Sequence, residues 1–173
     1  MAIAVAGLLV AAGAVTAVVL MRRSSSRSAS RSALQYTQLT NFADSAIQPA
    51  LSADGKMLTF VRGQDPTLFN PGQVYVKFLP DGEPVQLTRD NFKKMAPKFS
   101  PDGSRIAYAT GIGENVDAFQ TWVVPVLGGP PQRWLKNAEG LTWTNGPGEP
   151  ARVLFSELTG RAGQMSLVTS TES

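Results

Sequence analysis

Ser100-Pro101-Asp102-Gly103-Ser104-Arg105-Ile106-Ala107-Tyr108 is the stretch on which the reading of the fold turns. Asp102-Gly103 supplies a tight reversal, because glycine takes a positive φ there without steric cost. Arg105 to Ala109 then alternates in the manner of a half-buried strand.

The same pattern stands 48 residues earlier, where Ile47 to Gly63 aligns with Met95 to Gly111. Pro49 falls on Pro97, Ser52 on Ser100, Asp54 on Asp102, Gly55 on Gly103 and Gly63 on Gly111. Leu51 matches Phe99, Leu58 matches Ile106 and Phe60 matches Tyr108. At an offset of 47, Gln73 to Val76 falls on Gln120 to Val123, and Gln38-Leu39-Thr40 recurs as Gln86-Leu87-Thr88 at 48.

Each unit reads as four short strands. The first ends at Ser52 or Ser100, and the second is Met57 to Val61 or Arg105 to Ala109. The third is Gln73 to Phe78 or Gln120 to Val126. Pro80-Asp81-Gly82 or Gly128-Gly129-Pro130 then turns into a fourth, Pro84 to Leu87 or Pro131 to Leu135. Four strands in ~40–50 residues is the period of a β-propeller blade.

A degenerate third copy follows, with Leu141 to Trp143, Arg152 to Ser156 and Gln164 to Val168 as its strands. Tyr36 to Thr40 reads as a fourth strand whose own blade is missing. The fold class expected is therefore all-β: a partial β-propeller of about two and a half four-stranded blades, preceded by one transmembrane α-helix. The blades fall at about 41–88, 89–136 and 137–173, within a propeller segment 36–173. Closed propellers need ~4–8 blades, so this count leaves apolar faces and strand edges open. The expectation is a fragment, a truncated product, or a protomer that closes a ring by associating with itself through open blade edges.

Residues 1–21 are expected to form the transmembrane helix, since Ala2 to Met21 is a 20-residue apolar run broken only by Thr16. At 1.5 Å per residue it matches a bilayer core of ~30 Å, and it lacks the charged start of a signal peptide. Gly7 and Ala11 have the spacing of a small-residue helix contact, which arises easily in so alanine-rich a run. Residues 22–35 form a basic Arg/Ser-rich linker. Arg22, Arg23, Arg27 and Arg31 follow the span, and by the positive-inside rule alone they place the carboxyl-terminal part in the cytoplasm.

Charge and composition exclude several function classes. Four of the 16 basic residues lie in the linker, leaving 12 against 13 acidic ones in the rest of the chain. The blades thus carry no basic excess, and no nucleic-acid partner is expected. The chain has no His and no Cys, which removes Ser-His-Asp triads, cysteine nucleophiles and the usual zinc ligand sets. No Walker A motif, nucleophile elbow or dinucleotide fingerprint is present. No catalytic, cofactor-binding or metal-binding residue is assigned, and no cofactor is expected.

The motif at Ser100 to Tyr108, with Gln86-Leu87-Thr88 before it and Gly128-Gly129 after it, resembles the WD40-like propeller repeats of the TolB family. The first copy departs from it in carrying Ala53 where the motif has proline. Similar repeats occur in prolyl oligopeptidase and dipeptidyl peptidase IV-type enzymes. They also occur behind a transmembrane helix in bacterial receptor Ser/Thr kinases and in CadC-type winged-helix regulators. The wording of Leu39-Thr40-Asn41-Phe42 to Pro49-Ala50-Leu51-Ser52 is most similar to these last two groups. That resemblance implies a single-pass protein of the cytoplasmic (inner) membrane with its propeller on the periplasmic or extracytoplasmic side, against the charge rule. It implies a non-catalytic module that binds a protein or peptide ligand, as part of a larger signalling or regulatory protein. The alternative is the propeller of a peptidase lacking its catalytic domain.

Individual residues divide between function and structure. Asp54 and Asp102 have calcium-ligand chemistry, but an Asp before Gly is the ordinary turn solution. Trp122, Trp134 and Trp143 have the chemistry to stack a ligand, while the alternation around Trp122 favours packing between blades. Lys93 and Lys94 read as solvated loop residues. The loops Gln64 to Pro71 and Ile112 to Phe119, the latter carrying Glu114 and Asp117, are the ligand-facing candidates.

Overall fold

The computed structural model describes residues 34–65, 70–111, 119–144, 151–159 and 164–171. The helix expected over 1–21, most of the linker, and the loop residues 66–69 and 112–118 lie outside them. No helix among the described residues is long and apolar enough to cross a membrane. The chain divides into two units, Met1–Gln38 and Leu39–Ser173. In the first, residues 34–38 carry no regular secondary structure and are exposed.

The second unit is all-β. Its strands are β1 (Ser45–Leu51), β2 (Met57–Gly63), β3 (Gln73–Phe78), β4 (Val85–Gln86), β5 (Lys94–Phe99) and β6 (Arg105–Thr110). They continue as β7 (Gln120–Pro125), β8 (Gln132–Lys136), β9 (Ala138–Thr144), β10 (Arg152–Thr159) and β11 (Gln164–Thr171). Three antiparallel meanders result: β1-β2-β3-β4, β5-β6-β7-β8 and a three-stranded β9-β10-β11. These are blades 1, 2 and 3, and their first strands β1, β5 and β9 lie side by side.

Alternation along the strands sends side chains to both faces of every blade. Val74, Val76 and Leu87 of blade 1 meet Phe99, Ile106, Tyr108, Val124 and Val126 of blade 2 in one core. Ala107 of blade 2 meets Ala138, Leu141, Val153 and Phe155 of blade 3 in a second. Burying a valine- or isoleucine-sized side chain in such a core contributes about 1.5–3 kcal/mol. Thr121 adds a polar tie, donating its hydroxyl to the Ala138 carbonyl across the blade 2–blade 3 boundary at 2.8 Å.

The reading of Tyr36 to Thr40 as a strand is overturned. Those residues take no regular secondary structure, and a strand exists only through its ladder. The reading of Lys94 as solvated is also overturned. Lys94 opens β5 and is 4% exposed, its ammonium donating to the Asp90 carboxylate at 2.5 Å and to the Phe92 carbonyl at 2.9 Å.

The outward face of blade 1 is covered locally. Phe42 sits 5.8 Å from Phe60, which stacks on Tyr75 at the same centroid distance. The Arg62 guanidinium lies 3.9 Å from the Phe42 ring centre and pairs with Asp44 at 2.8 Å. Phe60 is buried as a result.

Candidate functional site

The two Asp-Gly turns are built alike. Ser52 donates its hydroxyl to Asp54 at 2.6 Å, and Ser100 donates to Asp102 at 2.5 Å. Each serine hydroxyl in turn accepts the N–H five residues on, from Met57 at 2.9 Å or Arg105 at 3.1 Å. Gly55 and Gly103 both take φ +70°, the left-handed region that a side chain strains. The Ser100 hydroxyl, with help from the Ser104 hydroxyl and N–H, holds the Asp102 carboxyl down at about 2 against an ordinary 3.8. Ser52 and the Lys56 N–H lower Asp54 in the same way. Both carboxylates are thus engaged as the pins of their hairpins. Lys94 is pushed below its ordinary range by burial, with Asp90 opposing the shift.

A second repeated device lies on the inner strands. The β1–β2 register shifts between Ile47 and Ala50, and the β5–β6 register between Met95 and Lys98. The β9–β10 register breaks as well, between Leu154 and Ser156 on β10. Each irregularity accompanies a positive φ on the inner strand: Gln48 at 54°, Ala96 at 47° and Gly140 at 65°. These are β-bulges at one place in all three blades, and a bulge frees backbone groups from the ladder. One freed group is the Ala96 N–H, which donates to the Gln48 side-chain oxygen of blade 1.

Two clefts open along these strands. One of about 400 Å³ is lined by Gln48, Pro49, Met95, Ala96, Pro97 and Lys98 at the bulges. Another of about 380 Å³ lies toward the strand ends, lined by Leu51, Lys98, Phe99, Pro101, Thr142 and Trp143 and so bounded by all three blades. Lys98 belongs to both, placing a cation between two largely apolar walls. Trp143 also stacks on Trp134 at 6.0 Å across the blade 2–blade 3 boundary, whereas Trp122 packs into the core between blades 1 and 2. Of the three tryptophans, Trp143 lines these clefts.

The arrangement suits an extended chain with an acidic group. Inner-strand edges, apolar walls and one cation provide contacts for backbone, side chain and carboxylate respectively. Among the described residues, no group of three or more carboxylates or other metal-ligating side chains comes together. Neither Gln48 nor Lys98 is marked by a motif, because each lies inside the first strand of its repeat unit, where position and not residue type sets its role. Glu114 and Asp117 of the loop expected to face a ligand lie outside the described residues.

No protein-family model matches the chain, and no curated protein matches it. Among solved structures, a TolB protein from Agrobacterium tumefaciens superposes with a TM-score of 0.56 at 20% identity, over 76% of this chain and 47% of that one. A TolB from Acinetobacter baumannii superposes with a TM-score of 0.45 at 16% identity, over 70% of this chain and 32% of that one. The first likeness shows that the blades have the TolB-type β-propeller fold. The chain spans about half the length of that protein.

Proposed function

We propose that the chain is a non-catalytic, membrane-tethered β-propeller module that captures a protein or peptide ligand along its inner strands. The observation that carries this reading is the pair of clefts meeting at Lys98 on strands from all three blades. A surface built by several elements around one cation is placed to read a peptide carboxylate, and nothing in it resembles a nucleophile with its base. The absence of His and Cys from the sequence supports a binding role over catalysis.

Residues 2–21 tether the module as a single pass in the cytoplasmic membrane, and the blades stand on the extracytoplasmic side. The apolar run supports the tether, and the repeat wording supports the orientation. In this reading the chain is the propeller part of a signalling or regulatory protein of the receptor Ser/Thr kinase or CadC type. The likeness to the Agrobacterium tumefaciens structure supports the blade fold that such a module needs.

Panning a displayed peptide library against the 173-residue chain in detergent tests the ligand reading. Enriched peptides should carry an acidic group and lose binding to Lys98→Glu and to Leu51→Asp. Peptides that bind both variants as well as the unsubstituted chain would overturn it. For orientation, alkaline phosphatase fused after Ser173 should be active, and an inactive fusion alongside a fluorescent cytoplasmic one would reverse the assignment.

A further inference from the structure

The cleft of about 400 Å³ at the bulges is lined by two residues of β5 that carry donors, Ala96 through its N–H and Lys98 through its ammonium. The first donor comes from the place where the β5–β6 register shifts, between Met95 and Lys98. Its acceptor is the side-chain oxygen of Gln48, 2.5 Å away on the neighbouring blade. The second donor has no such partner. Arg62 pairs with Asp44 and Lys94 with Asp90, whereas Lys98, which is partly buried, has neither an ion pair nor a side-chain hydrogen bond among the described residues. A cation withdrawn from water in this way is costly unless an anion meets it.

The acceptor side is weaker than the donors it faces. An amide oxygen is neutral, and a hydrogen bond to an ionised acceptor is about twice as strong. No acidic residue lines this cleft, so an entering anion meets no like charge on its walls. Gln48 is also held at some cost. Its φ of 54° lies in the left-handed region, where a side chain is strained, and Gly140 holds the same place in blade 3 without that strain. Pinning so long a side chain costs rotamer freedom as well, which release returns.

We propose that this cleft is a carboxylate site that Gln48 closes from within: one ligand carboxylate oxygen replaces the Gln48 amide oxygen on the Ala96 N–H, while the other takes the Lys98 ammonium. The proposal rests on the capture reading for the choice of cleft, and adds the group recognised and the side chain that guards it. An acidic side chain and a chain-end carboxylate share this chemistry, with Pro49, Met95 and Pro97 as apolar wall beside either. The guard also sets specificity. A ligand amide gains nothing over the amide it must displace, so carboxylate is separated from carboxamide by the exchange itself.

The test uses the isotope-labelled 173-residue chain in detergent and reads the amide resonance of Ala96. The probes are N-acetylglutamate N-methylamide with a side-chain carboxylate, N-acetylalanine with a chain-end carboxylate, and N-acetylglutamine N-methylamide with neither. At least one of the first two should shift the Ala96 amide saturably, and which of them does so assigns the source; the third should not. Gln48→Ala should lower the half-saturating concentration about tenfold, the ratio implied by loss of one competing hydrogen bond. Lys98→Met should abolish the shift. Gln48→Glu supplies the carboxylate in place, so it should take up no probe while the strand signal in circular dichroism persists, and it decides the matter if Gln48→Ala does not fold.

No saturable shift with either carboxylate, an equal shift with the neutral probe, or a shift retained in Lys98→Met would overturn the proposal. So would Gln48→Glu binding as the unsubstituted chain does. Library peptides that need Lys98 yet leave the Ala96 amide unmoved would sink this proposal and leave the capture reading standing. Carboxylate probes that shift Ala96 when no peptide is captured would uphold the site and sink the capture reading instead.

Discussion

Gln48 on β1 and Ala96 on β5 occupy the same place in successive blades, 48 residues apart, and the side chain of the first accepts the bulge N–H of the second at 2.5 Å. The repeat thus contacts itself at equivalent positions. The Ala96 methyl group has no acceptor to extend the series to Gly140, so this bridge joins blades 1 and 2.

Gln48→Ala leaves the Ala96 N–H without its acceptor. The loss should be about 1–2 kcal/mol in urea unfolding, the usual cost of an unmet partly buried donor. Amide exchange separates this from general loosening: the Ala96 N–H should exchange faster while that of Gly103, held in its own turn by Ser100 at 2.9 Å, is unchanged.

Acid stability should follow the Asp102 turn. Its folded pKa of about 2 lies below the ordinary 3.8, so the folded state resists protonation more than the unfolded one. The stabilisation is complete above 3.8 and is lost as pH falls toward 2. Asp102→Asn should be less stable than the unsubstituted chain near neutrality, and the gap should narrow across that window. A gap independent of pH in acid denaturation curves would contradict this.

Lys94 has the opposite place on the pH scale. Burial lowers its pKa below the ordinary 10.5, so at intermediate pH the unfolded chain binds the proton that the folded chain has begun to release. Stability linked to this group rises with pH between its lowered value and 10.5. Lys94→Met removes the titration. The stability difference between the two proteins should therefore shift toward the unsubstituted chain as pH climbs from neutral to about 10, where Lys groups normally titrate. Subtracting the variant also cancels Tyr108, whose burial raises its pKa and acts in the other direction.

Phe42→Ala uncovers Phe60 and removes one of the rings facing Arg62. Because Phe42 is only partly buried, the cost should fall near or below the lower end of the ~3–5 kcal/mol found for core Phe→Ala changes. Asp44→Asn should cost less, about 0–1 kcal/mol, because the ion pair it breaks is partly exposed to solvent. Equal losses in thermal unfolding would mean that the ion pair, not the ring, covers the blade.

Strand order was legible because it is written in residue types with strong local meaning. Asp54-Gly55 and Asp102-Gly103 mark reversals, and the apolar alternation of Leu58, Phe60, Ile106 and Tyr108 marks the strands between them. The bulges were not legible. They fall on Gln48, Ala96 and Gly140, three residue types with no shared chemistry, at a place fixed by the backbone of the inner strands rather than by a side chain. Lys94 was misread because a lysine pair beside a turn looks solvated, whereas its burial depends on Asp90 and the Phe92 carbonyl folding back over it. Tyr36 to Thr40 has the wording of a strand but no ladder, since wording is local and pairing is not.

The covering of blade 1 has a mechanical consequence. Any tension entering along the backbone toward Ser45 must pass Phe42 and Asp44, both held by Arg62. The first rung of the β1 ladder, Ser45 with Gly63, is next to that clamp on both strands. A pull would therefore have to strip an aromatic ring from a guanidinium and break an ion pair before it could unzip the sheet. Arg62 serves as the strain relief of the cable, where the load is borne ahead of the joint it protects.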